Sequence, residues 1–159
     1  MTTKADFTEE EWVRLGRAPL VAGMAISLAD PGGPIGSIKE STAAIRTVLE
    51  AAESGGHGEF VQSIARDVAA KARARENPLA GFRPKGADAR DEVPAELRAV
   101  DALLEKLTPE EHDEYVGWLR AAAQNTATAA KEGGFLGFNA QLVSEREQQM
   151  LDTLGAIFG

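Results

Sequence analysis

The sequence predicts an all-α single domain, and three observations carry that prediction. Apolar residues recur at helical spacing through most of the 159 residues, with almost none of the alternation that marks a strand. Helix-start signals stand out, among them Thr8-Glu9-Glu10-Glu11 and Thr108-Pro109-Glu110-Glu111. The loop Gly32-Gly33-Pro34-Ile35-Gly36 also returns, about a hundred residues later, as Gly133-Gly134-Phe135-Leu136-Gly137. An Ala-rich stretch precedes each copy, ending in Ala29-Asp30 or Ala130-Lys131-Glu132. A Ser-x-x-Glu capping pattern follows each, Ser37 to Glu40 and Ser144 to Glu147. The expected architecture is a bundle of about seven helices in two similar halves, 8–53 and 108–158. A helix at 57–76, a loop at 77–94 and a helix at 95–106 join them.

Each element follows from local chemistry. A short first helix opens at Thr8, where Glu11 completes a capping box, and carries Trp12 and Leu15. Pro19 suits the first turn of a second helix, whose apolar face is Leu20, Val21, Met24, Ala25 and Leu28. Asp30-Pro31-Gly32-Gly33-Pro34 ends it. The third helix runs from about Ser37 to Glu53 on Ala44, Ile45, Val48 and Leu49, and Ser54-Gly55-Gly56 closes it. The fourth, His57 to Glu76, carries Phe60, Val61, Ile64, Ala65 and Val68. Residues 77–94 hold several prolines and charges, with Phe82 as the only large aromatic, and read as a linker. The fifth helix is lined by Leu97, Val100, Leu103 and Leu104. The sixth begins at Thr108, shows Tyr115, Trp118 and Leu119, and continues through small residues to Lys131, as a central helix would. The last, from Ser144 to Phe158, turns Met150, Leu151, Leu154, Ile157 and Phe158 inward.

Composition bounds the function. Hydrophobic residues at 43% and charged residues at 26% are the balance of a soluble globular protein. The absence of cysteine removes disulfides, thiolate metal sites and cysteine nucleophiles, and fits a reducing compartment. With no apolar leader and no apolar run of roughly 20 residues, a cytoplasmic protein without an integral membrane segment is expected. A net charge of −8 argues against nucleic acid, whose phosphates demand cations. The cluster Arg66, Lys71, Arg73 and Arg75 scatters around its helix rather than forming a stripe.

No catalytic residue is assigned. His57 and His112 stand in polar helix starts, and neither has the Glu-x-x-His spacing of a di-iron bundle. Neither a P-loop nor a Gly-x-Ser-x-Gly elbow is present. The duplicated junctions are more informative. A carboxylate ends one helix in each half, Asp30 or Glu132, and another lies in the first turn of the next, Glu40 or Glu147. Facing each other, such pairs would offer oxygen ligands to a divalent cation, Ca²⁺ or Mg²⁺. The simpler reading makes Glu40 and Glu147 the reciprocal halves of capping boxes, with Asp30 and Glu132 solvated. The loop tips Ile35, Phe135, Leu136 and Phe138 either plug the helix junctions or form an exposed patch for a protein partner or for self-association. A further option is a ligand or enzyme pocket between the halves, lined by Trp12, Tyr115 and Trp118.

The matching stretches Ala22 to Leu49 and Ala123 to Gly155 give the chain a family resemblance. Each has an Ala-rich helix, an acidic-Gly turn (Ala29-Asp30, Glu132-Gly133) and a helix opened by an acidic residue (Glu40, Glu147). In this layout the chain resembles the TerB-like family of tellurite-resistance and stress-response proteins. The resemblance implies an all-helical single domain acting as a non-enzymatic binding or scaffold module, with divalent-cation binding at these acids. Pro31 and the Gly-Gly-x-x-Gly insert enlarge the family's short Asp-Gly turn, and Lys131 stands beside the second acid where another carboxylate is expected.

Overall fold

The structure is a computed structural model that describes residues 1–29, 33–84, 88–132 and 145–159, with the side chains of 33–40 and 130–132 left aside. Among the described residues it is all-helical. A 3-10 turn at Lys4–Asp6 precedes six α-helices: α1 Glu9–Ala29, α2 Gly33–Glu53, α3 Glu59–Arg73, α4 Ala89–Leu104, α5 Pro109–Glu132 and α6 Glu145–Phe158. No described helix is long and apolar enough to cross a membrane.

Six α-helices replace the expected seven because α1 does not break at Pro19. Proline lacks the N–H that would bond the carbonyl four residues earlier, and it normally kinks or ends a helix. Here that carbonyl belongs to Leu15, and the Tyr115 hydroxyl donates to it at 2.7 Å. A side chain 100 positions away thus supplies the hydrogen bond that Pro19 cannot. Both partners are sealed from water, Leu15 and Tyr115 each being 0% exposed.

Other boundaries shift for related reasons. Helix α2 begins at Gly33, so Pro34 lies in its first turn, where the missing N–H has no partner to lose. Ser37 is therefore inside α2, and the expected capping start at Ser37 is corrected. Helix α4 begins at Ala89 and accommodates Pro94, which shortens the expected 77–94 linker. That linker is also anchored, with Leu79 and Phe82 packing on the core and the Arg17 guanidinium lying 5.3 Å from the Phe82 ring centre. Helix α3 stops at Arg73 and not at Glu76, with Arg75 at φ 60°. Glu76 N–H bonds the Lys71 carbonyl at 2.9 Å and Arg75 N–H bonds the Ala72 carbonyl at 3.1 Å, the paired bonds of a Schellman stop.

The expected starts of α1 and α5 are both built as read. Thr8 N–H donates to Glu11 Oε2 at 2.9 Å and Glu11 N–H to Thr8 Oγ1 at 3.1 Å. The corresponding distances for Thr108 and Glu111 are 3.1 and 3.3 Å. The two boxes are also tied to each other's approach segments. Lys106, just before the second box, donates to Glu11 at 2.9 Å. Thr2, just before the first, donates its N–H to Glu111 at 2.8 Å and its hydroxyl at 2.5 Å. The Thr8 amide and the Lys106 ammonium hold the Glu11 carboxyl below its ordinary value. Partial burial pushes Glu111 up, but the bonds from Thr2 and Thr108 outweigh it and its net shift is downward.

Helix α1, and not the expected α5, is the central element, because it packs against every other α-helix. Small residues permit this. A side chain at Gly23 would meet Thr126 Oγ1 at 2.9 Å and Ala44 Cβ at 3.1 Å, so the bare glycine lets α1, α2 and α5 approach closely there. Helix α5 lies beside α1, α2 packs on α5, and α6 packs on α1.

Between the helices, aromatic rings run in a chain from Phe7 through Trp12, Phe60 and Tyr115 to Trp118. Successive links, with Phe60 following Trp12, are 5.9, 6.0, 6.1 and 5.9 Å between centroids. Asp67 ties the outer end, accepting from Trp12 Nε1 and from Lys4 Nζ, each at 2.8 Å. Burial raises the Asp67 carboxyl, yet these two bonds prevail and hold it below its usual value.

Candidate binding site

The aromatics expected to line a pocket between the halves are core residues. Trp12, Tyr115 and Trp118 are 4, 0 and 1% exposed, and the void beside Trp12 is about 10 Å³, barely a single water. Burial also raises the Tyr115 hydroxyl well above its ordinary value, so it remains a neutral donor to Leu15.

A larger cavity, about 500 Å³, lies between α1, α4 and α6. Helical spacing builds its walls. Helix α1 contributes Ala25, Leu28 and Ala29, and α4 contributes Arg90, Val93 and Pro94, each set at positions i, i+3 and i+4. Helix α6 adds Arg146 and Met150, again one turn apart. Ala25 and Val93 are buried at 1 and 0% exposure, whereas Leu28 and Met150 are partly open, so the cavity deepens from a wet mouth to a dry floor. The described lining holds two arginines and no acidic residue.

Next to this cavity α1 and α4 are locked by a buried ion cluster. Glu96 of α4, 8% exposed, accepts from Arg14 Nε at 3.1 Å and from Arg17 Nε and Nη2 at 2.9 and 2.6 Å. With its charge compensated on two sides, the carboxylate tolerates burial and fixes the two cavity walls against each other. Arg90 and Arg146 have no such partner among the described residues.

The residues expected from the sequence to form a site are distributed differently. Asp30, Phe135, Leu136 and Phe138 lie outside the described residues, as do the side chains of Ile35, Glu40 and Glu132. Glu147 is described, in the first turn of α6, and is both buried at 1% exposure and partnered. Among the described residues no three acidic or histidine side chains gather as a metal site. His57 approaches Glu114 at 3.9 Å, and Glu114 also accepts the Gly58 N–H at the start of α3. His112 lies 3.4 Å from Asp113. Neither histidine lines the large cavity.

Sequence reasoning did not single out Arg90 or Arg146. The available signal was an arginine one turn ahead of an apolar residue on each of two helices, Arg90 with Val93 and Pro94, and Arg146 with Met150. Nothing in the one-dimensional pattern says that those faces meet.

No family model, curated protein or solved structure matches the chain.

Proposed function

We propose that this chain is a non-enzymatic binding protein whose ligand occupies the cavity between α1, α4 and α6. The observation supporting this is the cavity itself, about 500 Å³ with an apolar floor and a charged mouth, in the range of small-molecule sites. Three helices build it, and the Glu96 cluster braces two of them against each other. The test is saturable binding of a neutral apolar fluorophore, N-phenyl-1-naphthylamine, to the whole chain. Leu28→Trp and Met150→Trp fill the cavity from its partly open side and are expected to abolish the signal without lowering the melting temperature. Failure of the unmodified chain to bind, or unchanged binding by both variants, would refute the proposal.

A second reading starts from Glu147, a carboxylate buried and partnered in the first turn of α6, as one member of a set of four acids. In it Asp30, Glu40, Glu132 and Glu147 hold Ca²⁺ or Mg²⁺, and the TerB-like kinship with its stress-response role accompanies that binding. Calorimetric titration of chelator-treated protein with Ca²⁺, Mg²⁺ and Mn²⁺ is expected to give heat and a higher melting temperature. Absence of both removes this reading and leaves the cavity proposal intact.

A further inference from the structure

We infer that the ligand of the cavity is a single-chain organic anion, an alkyl carboxylate headed by Arg90 and Arg146 with its chain along Leu28, Val93 and Met150. This rests on the binding proposal above and adds the chemical class. The chain carries 25 acidic and 17 basic residues, 17 − 25 = −8, yet the described lining of the cavity between α1, α4 and α6 has two cations and no acid. Such local reversal of sign in an acidic protein concentrates anions at that mouth.

Arginine is also the side chain whose planar donors match a carboxylate. On α1, Arg14 and Arg17 are both occupied by Glu96, whereas Arg90 and Arg146 are held by no protein carboxylate among the described residues. The acidic neighbours on the same elements, Asp91, Glu92, Glu145 and Glu147, are absent from the lining. Beneath the arginines the wall is hydrocarbon, with Val93 at 0% and Ala25 at 1% exposure. A cationic rim over a dry floor fits a ligand with one charged end and one apolar tail.

The experiment displaces bound N-phenyl-1-naphthylamine with octanoate, decanoate and dodecanoate, and with the alcohols and alkylammonium ions of the same lengths. Carboxylates are expected to bind at least about tenfold more tightly than their alcohols, and ammonium ions more weakly than either. Affinity is expected to rise about fourfold per added methylene until the cavity is full. Arg90→Gln and Arg146→Gln, both at exposed positions, each weaken the carboxylates about twofold to fivefold and the alcohols much less. Equal affinity for carboxylate and alcohol, or carboxylate binding indifferent to both substitutions, overturns the anion inference while the cavity stands. Absence of binding by the fluorophore and all three series overturns both. Sedimentation with anionic phospholipid vesicles at concentrations where free carboxylates fail to bind would reassign the arginines to a membrane surface and overturn the inference.

Discussion

Tyr115 carries more of this fold than its position in a helix would indicate. Its ring joins two links of the aromatic chain, and its hydroxyl satisfies the Leu15 carbonyl that Pro19 leaves without a helical donor. The physical consequence is a coupling between residues 19 and 115. Tyr115→Phe keeps the ring and orphans a buried carbonyl, which costs about 1–3 kcal/mol. In a Pro19→Ala background the alanine N–H reaches the same carbonyl, so removing the hydroxyl should then cost under about 1 kcal/mol. Urea unfolding of the four proteins in this double-mutant cycle measures the difference. Strictly additive costs would show that the Tyr115 hydroxyl does not compensate for Pro19. The same pair explains why sequence reading divides α1 into two helices. Proline's local effect is visible in the chain, whereas the donor that cancels it comes from tertiary structure.

At the scale of the element, helix starts built on a Thr-x-x-Glu box are legible, whereas the stop of α3 is not. Thr8 with Glu11 and Thr108 with Glu111 form the boxes their spacing announces, because capping involves only residues three apart. Helix α3 ends without glycine, in a Schellman turn that places Arg75 at φ 60°, a left-handed conformation that costs a side-chain-bearing residue about 1 kcal/mol. Nothing in the sequence of Arg73, Ala74 and Arg75 signals that stop, and the expected helix runs on to Glu76. Arg75→Gly should therefore stabilise the protein by up to about 1 kcal/mol, seen as a higher urea midpoint with an unchanged slope. The greater freedom of glycine in the unfolded chain offsets part of the gain. A lower midpoint would mean that the Arg75 side chain contributes more than its backbone conformation costs. The Gly-Gly-Pro loop misleads in the opposite direction. It reads as a stop reaching Gly36, but a proline in a first turn loses no helical bond, so α2 already includes Gly33.

At the scale of the whole molecule, the two expected halves are not separate bodies. Helix α1 touches every other α-helix, the Glu96 cluster binds α1 to α4, and the segments before each capping box bond the other box. The repeated markers in the sequence suggest two halves, whereas the contacts that tie Thr2 and Lys106 to the two capping boxes join positions about a hundred apart. The cavity was hidden for the same reason: its arginines belong to α4 and α6, and only packing brings those faces against Ala25 and Leu28. Interlocking of this kind predicts a single cooperative transition, which the two tryptophans can test because Trp12 lies on α1 and Trp118 on α5. Trp12→Phe leaves fluorescence reporting only Trp118, and Trp118→Phe leaves it reporting only Trp12. Each loses buried packing of its own and is expected to unfold at a lower urea concentration than the parent. Within each variant, however, the fluorescence midpoint should coincide with that of far-ultraviolet circular dichroism, since neither half retains a core once α1 or α5 leaves it. If helix loss in either variant occurs in two steps, only one of them seen by its remaining tryptophan, the halves unfold independently and α1 is not the common core of both.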